Sequence, residues 1–198
     1  MKSVNTQLLL DLVRFRWSIP ILALLVQGTE GVPGTKGGGA KFVTLIQRAG
    51  VSPESLRRTL DALIEQGWVR RNPEYGHPMR PEYVLTTRGM SLARAAEGVM
   101  AMLLEMDVSK AALRKWSLPV TLALGVSRAH FGEIQRNVPG ITPRALALAL
   151  KELEVAGLVE RKIVEAYPPR PRYGLSPKGH VLSGTVRRLE RTLVACRL

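Results

Sequence analysis

The chain has 198 residues, 45% of them hydrophobic, a single cysteine, and 29 Lys and Arg against 16 Asp and Glu, for a net charge of +13 at pH 7. That apolar content suffices for packed cores and excludes wholesale disorder, and no apolar run approaches the roughly 18 residues of a membrane-crossing helix. Cys196 can close no internal disulfide, and with histidines only at 77, 130 and 180 it builds no zinc site, so no cofactor is expected. The basic excess favours a polyanionic partner, because each phosphate neutralised releases condensed counterions. The excess is shared, +5 over residues 1–99 and +8 over 100–198, so such a partner should meet the folded body rather than a tail.

In chain order, Arg16-Trp17-Ser18-Ile19-Pro20 opens an apolar helical run. The run from Ile19 to Val26 is too short for a membrane span and lacks the order of a signal peptide, so a cytoplasmic location is expected. The insert from Gly28 to Gly39 invites a phosphate-loop reading, but Thr35-Lys36-Gly37 reverses the order that a Walker motif needs, leaving a surface loop between two helices. Ser52-Pro53 marks a helix start, a hydroxyl cap followed by proline in the first turn. Leu56, Leu60 and Leu63 then form one buried stripe, and Gly67 ends the helix in the left-handed conformation. A short strand from Trp68 to Arg71, a Pro-rich turn and a second strand around Tyr83–Leu85 follow. A helix from Gly89 to about Met106 comes next, with Met100, Met102 and Met106 as packing residues.

The same series then recurs. Lys115-Trp116-Ser117-Leu118-Pro119 repeats the Trp motif at an offset of 99. Gly50-Val51-Ser52-Pro53 returns as Gly140-Ile141-Thr142-Pro143, and Leu56, Leu60, Leu63, Gly67, Val69 and Arg71 return as Leu146, Leu150, Leu153, Gly157, Val159 and Arg161, all at an offset of 90. Arg80-Pro81, Tyr83, Leu85 and Gly89 reappear as Arg170-Pro171, Tyr173, Leu175 and Gly179. Register held over so many positions implies an internal duplication. Each unit reads as three helices, two strands and a helix, the pattern of a winged helix-turn-helix. The expected fold is therefore mainly α with small β-wings (α+β): tandem winged helix-turn-helix domains over 1–108 and 109–198. The helix after each wing, the last running from about Pro177 to Val194, would pair with its counterpart to give an intramolecular pseudo-dimer.

The second unit contains His130-Phe131-Gly132-Glu133-Ile134, Leu150-Lys151-Glu152-Leu153-Glu154 and Pro168-Pro169-Arg170-Pro171-Arg172-Tyr173-Gly174-Leu175-Ser176-Pro177-Lys178-Gly179. On these motifs it resembles the HxlR branch of the MarR-like bacterial regulators, over most of 113–190, and the first unit is similar over roughly 13–95. The resemblance implies a transcriptional regulator that binds double-stranded DNA and dimerises through terminal helices. The chain departs from that family in joining two copies and in lacking a cysteine ahead of the Trp motif.

In a helix-turn-helix the second helix enters the major groove and its early outward face reaches the bases. With the leucines inward, the first recognition helix turns Glu54, Ser55, Arg58 and Asp61 outward, with Arg57 and Thr59 flanking and Ser52 at the cap. Arginines suit guanine edges or phosphates; the plain alternative is a solvated charged face. The second helix presents Thr142, Arg144, Ala145, Leu148, Lys151 and Val155, flanked by Ala147 and Ala149. Exposed Leu148 and Val155 suggest packing on a protein, so a homodimer through the second repeat or the terminal helices is a further expectation, with Leu189 and Leu193 in the latter seam. The wings carry Arg71 and Arg80, then Arg161, Lys162, Arg170 and Arg172, for phosphate or minor-groove contact or simply as charged hairpin edges. Trp17 and Trp116 read as core anchors. The competing functions are a tandem winged-helix scaffold, as in chromosome-organising complexes, and a replication initiator. No nucleophile, carboxylate pair or metal spacing converges in either unit, so no enzyme is expected.

Overall fold

The computed structural model describes residues 2–27, 39–72, 81–164 and 170–196. Its first half runs α1 (Lys2–Leu12), α2 (Ser18–Gln27), β1 (Ala40–Lys41), α3 (Phe42–Ala49), α4 (Pro53–Glu65), β2 (Val69–Arg71), β3 (Glu82–Leu85) and α5 (Thr87–Glu105). The second runs α6 (Ser109–Ala112), α7 (Ser117–Leu124), β4 (Ala129–His130), α8 (Phe131–Asn137), α9 (Pro143–Val155), β5 (Val159–Val164), β6 (Arg170–Leu175) and α10 (Pro177–Ala195). The Gly-rich insert at 28–38, Arg80, and the wing-tip prolines 78, 168 and 169 lie outside the described residues. Among the described residues no helix is long and apolar enough to cross a membrane.

Helices α4 and α9 begin where the hydroxyls cap them. Ser52 accepts from the Ser55 N–H at 3.3 Å and Thr142 from the Ala145 N–H at 3.2 Å, each with proline in the first turn. Leu56, Leu60 and Leu63, and Leu146, Leu150 and Leu153, are all buried. Gly67 and Gly157 follow with φ of +75° and +69°, a conformation that turns the chain sharply into the wing. In the turns that lead into α4 and α9, Gly50 and Gly140 take φ of +60° and +74°.

The wings differ from the two-strand expectation. Each is the outer part of a three-stranded antiparallel sheet, ordered β1-β3-β2 and β4-β6-β5. The added strands have two residues each, too short for any alternating pattern. The second hairpin is the longer, with six residues in each strand against three and four in the first.

One hydroxyl fastens each wing to the long helix behind it. Thr86 donates its hydroxyl to the Gly67 carbonyl at 2.8 Å, accepts from the Gly89 N–H at 3.0 Å, and gives its own N–H to the Trp68 carbonyl at 3.0 Å. Ser176 does the same to Gly157 at 2.7 Å, from Gly179 at 3.0 Å and to Leu158 at 3.1 Å. The contact is so close that only glycine fits the first helical turn: a Cβ on Gly89 would lie 1.8 Å from the Trp68 carbonyl oxygen, and one on Gly179 2.0 Å from that of Leu158.

Helix α5 packs on α2 and on α10, and α10 also meets α1, α6's neighbour α7 and β6. Val186, Leu189 and Leu193, the apolar seam of the last helix, are buried in this chain. Trp68 is the largest fully buried side chain, whereas Trp17 and Trp116 are only half-buried against the core, under Arg16 and Lys115 respectively.

Gly179→Ala should therefore destabilise the fold by about 1–3 kcal/mol through overpacking. Gly184→Ala, in the same helix with nothing within 4 Å of the added methyl, should stabilise it by about 0.5–1 kcal/mol. Urea unfolding of both variants checks this; equal effects would mean the close approach at Gly179 is not a constraint.

Candidate nucleic-acid interface

Helices α4 and α9, at equivalent positions of the repeat, share a scaffold and present different chemistries. On α4, Ser52, Glu54, Arg57, Arg58 and Asp61 are exposed and Ser55 is half-exposed. Thr59, expected at the edge of this face, is buried, and its hydroxyl donates to the Ser55 carbonyl one turn back at 2.8 Å. It lies on the leucine side of the helix and cannot touch a ligand without unfolding. Arg58 pairs with Glu54 at 2.8 Å, with both side chains mostly exposed. An exposed pair of this spacing contributes only about 0.3–0.5 kcal/mol, so a phosphate or base edge can displace it. With Asp61 and Glu65 also exposed, α4 nevertheless sets three carboxylates against two guanidiniums.

On α9 the exposed residues are Thr142, Arg144, Ala147, Leu148, Lys151, Glu154 and Val155. Ala149, expected to flank this face, is buried. Glu152 is held by Arg114 at 2.8 Å, bracing α9 against the turn ahead of α7. At the same repeat positions the first half has Phe15 and Ala62, which line an open cleft beside Arg58 and Asp61.

The second wing carries a cluster of positive charge. Along β5 and β6, Lys162 stands directly opposite Arg172, Val164 opposite Arg170, and Glu160 opposite Gly174. Partners across an antiparallel ladder point to one side of the sheet, so Lys162, Arg170 and Arg172 share a face. Arg128 joins them. It lies flat across Gly174, whose missing side chain makes the room, and pairs with Glu160 at 2.9 Å. Arg172 is held by a hydrogen bond to the Arg128 carbonyl at 3.2 Å. Arg161 points to the other face, opposite Tyr173. Arg161, Lys162, Arg170 and Arg172 are all exposed.

The hairpin is anchored at its base. His130 Nδ1 lies 3.0 Å from the Pro171 carbonyl, and the His130 N–H donates to Glu133 at 2.7 Å. That hydrogen bond, helped by the charges of His130, Arg172 and Arg136, holds the Glu133 carboxyl below the usual range.

The first wing is plainer. Arg70 and Arg71 are exposed on β2, while Glu82 on β3 is fully buried and accepts from Asn72 at 2.6 Å. Sequence reasoning named neither Arg128 nor Glu82. Glycine at 174 inside a strand is the signal that could have found Arg128, because it marks a close approach.

These two helix-and-wing sites sit on a chain whose second half has recognisable relatives. Residues 113–194 match the family model described as HxlR-like helix-turn-helix. An uncharacterised HTH-type transcriptional regulator of Methanothermobacter thermautotrophicus is 42% identical over 65 residues, which are 33% of this chain and 50% of that protein. The uncharacterised HTH-type transcriptional regulator YdzF of Bacillus subtilis is 36% identical over 69 residues, 34% of this chain and 63% of that one. The reduced form of the transcriptional regulator YodB from B. subtilis is similar over 48% of this chain and 85% of its own, at 26% identity and a TM-score of 0.38. The chain thus spans 50% and 63% of the length of these two curated relatives. What these likenesses establish is an HxlR-like helix-turn-helix segment at residues 113–194, whose relatives are HTH-type transcriptional regulators.

Proposed function

We propose that the chain binds double-stranded DNA as a transcriptional regulator of HxlR type, through two winged helix-turn-helix units, 1–108 and 109–198, paired within one molecule. The observation that carries this is the face shared by Lys162, Arg170 and Arg172. Like charges set directly opposite one another destabilise a hairpin, and here Lys162 faces Arg172 in register. A row of phosphates converts that repulsion into attraction while releasing its counterions. A cytoplasmic location goes with this reading.

Reciprocal contacts support the pairing. Lys178 Nζ donates to the Met106 carbonyl at 2.7 Å, and Cys196 Sγ to the Arg88 carbonyl at 3.7 Å. Residues 88 and 178 occupy one repeat position and residues 106 and 196 another, so the two contacts join equivalent residue pairs, with the side-chain donor at the start of the long helix in one and at its end in the other. An isologous interface has this form, and here it ties the start of each long helix to the end of the other. The two recognition helices are unequal in this assembly, because α4 offers Arg57 and Arg58 for hydrogen bonding while α9 offers methyl groups between Arg144 and Lys151.

Two measurements test the proposal. Affinity for duplex DNA should fall steeply with salt, by about 0.9 log units per log unit of salt for each phosphate contacted, and Lys162→Gln with Arg172→Gln should shallow that slope by about one to two units. A flat dependence would sink the reading, and no retention at low salt would favour a protein scaffold instead. Arg58→Ala should weaken binding to a selected site about ten- to a hundredfold and relax base preference, the worth of a bidentate arginine–guanine contact. A silent Arg58→Ala would remove α4 from base reading.

A further inference from the structure

Resting on that DNA-binding reading, we propose that α9 recognises thymine methyl groups in the major groove, so that the half-site beneath the second unit is rich in A·T pairs. Arg144, Leu148, Lys151 and Val155 fall at intervals of four, three and four residues and form one outward stripe. Leu148 is 52% exposed and Val155 82%. Between Arg144 and Lys151 the exposed side chains are Ala147 and Leu148, with no hydrogen-bonding group among them.

On the major-groove edge of a base pair the C5 methyl of thymine is the one apolar group. A surface of methyls at the second turn of a recognition helix is complementary to it and blind to guanine, cytosine and adenine edges. The cations at each side of Leu148 then have phosphates to meet. Val155 lies about two turns further on, beyond the early residues that reach bases.

Charge decides between DNA and a protein as the occupant. Lys151 divides Leu148 from Val155, and two isolated side chains fall far short of the roughly 800 Å² that each partner buries in a stable interface. Lysine is also depleted from such interfaces. The chain leads from α9 straight into β5, where Arg161 and Lys162 are exposed, and Glu154 is the exposed acid on α9. At the corresponding positions of α4 the stripe reads Glu54, Arg58, Asp61 and Glu65, so the methyl surface belongs to the second unit alone.

The test uses the intact chain and a duplex selected from a random library, with thymines in each half-site replaced one at a time by deoxyuridine, which pairs identically but lacks the methyl. Replacement at one or two positions of one half-site should weaken binding about three- to fivefold each, the worth of one buried methyl group. Leu148→Ala should bind the thymine duplex more weakly and respond to deoxyuridine less than twofold at those positions. Equal affinity for thymine and deoxyuridine duplexes overturns the inference while leaving DNA binding intact. So does a Leu148→Ala variant that keeps full deoxyuridine sensitivity, or one whose only change is loss of self-association without DNA, which would assign the stripe to a second copy. Failure to enrich any duplex overturns the DNA-binding reading and this inference with it.

Discussion

In each half a single hydroxyl oxygen, on Thr86 or Ser176, holds together the end of the recognition helix, the first wing strand and the first turn of the long helix behind. It donates to the carbonyl of a left-handed glycine and accepts from the N–H of a helical glycine, so it satisfies a backbone group on each side of the junction. The angle between recognition helix and wing, and the direction in which α5 and α10 leave the wing, both follow from this junction. Because the long helices pack on one another, the junction also sets how the two recognition helices stand within one molecule. A threonine or serine followed three residues later by glycine thus governs both the local fold and the spacing of the candidate interface.

Charge is distributed over that frame unevenly. The first recognition helix carries arginines among carboxylates, which suits selective hydrogen bonding more than general attraction to phosphate. The second unit gathers Arg128, Lys162, Arg170 and Arg172 on a long hairpin and leaves its recognition helix apolar between two cations. If the chain binds DNA as proposed, positioning by backbone contact and discrimination by hydrogen bond are weighted toward different halves of the chain. Placing both halves on one polypeptide permits this, since a homodimer would be bound to present the same surface twice.

The helices are legible in the sequence because their signals are local. Ser52-Pro53 and Thr142-Pro143 start α4 and α9, Gly67 and Gly157 terminate them, and the leucine spacing picks out the buried side. What depends on distant partners is not legible. Strands β1 and β4 exist only because β3 and β6 offer them an edge. Thr59 reads as a polar flank, but its hydroxyl finds a carbonyl on its own helix and the methyl can then be buried. Arg128 is invisible until Gly174, 46 positions away, is seen to open the space it fills. Leu189 and Leu193 are identified as a seam by their spacing, but whether this chain or a second one covers them is not written in that spacing; in the fold they are buried within this chain.

If one molecule places two unlike recognition surfaces on one duplex, selection of binding sites from a random duplex library by the intact chain should return two dissimilar half-sites, one containing guanine and one dominated by A·T pairs. Native mass spectrometry of the selected complex should then find a single chain on each duplex. A perfect palindrome occupied by two chains, or no consensus at all, would show that the two halves do not read one duplex together.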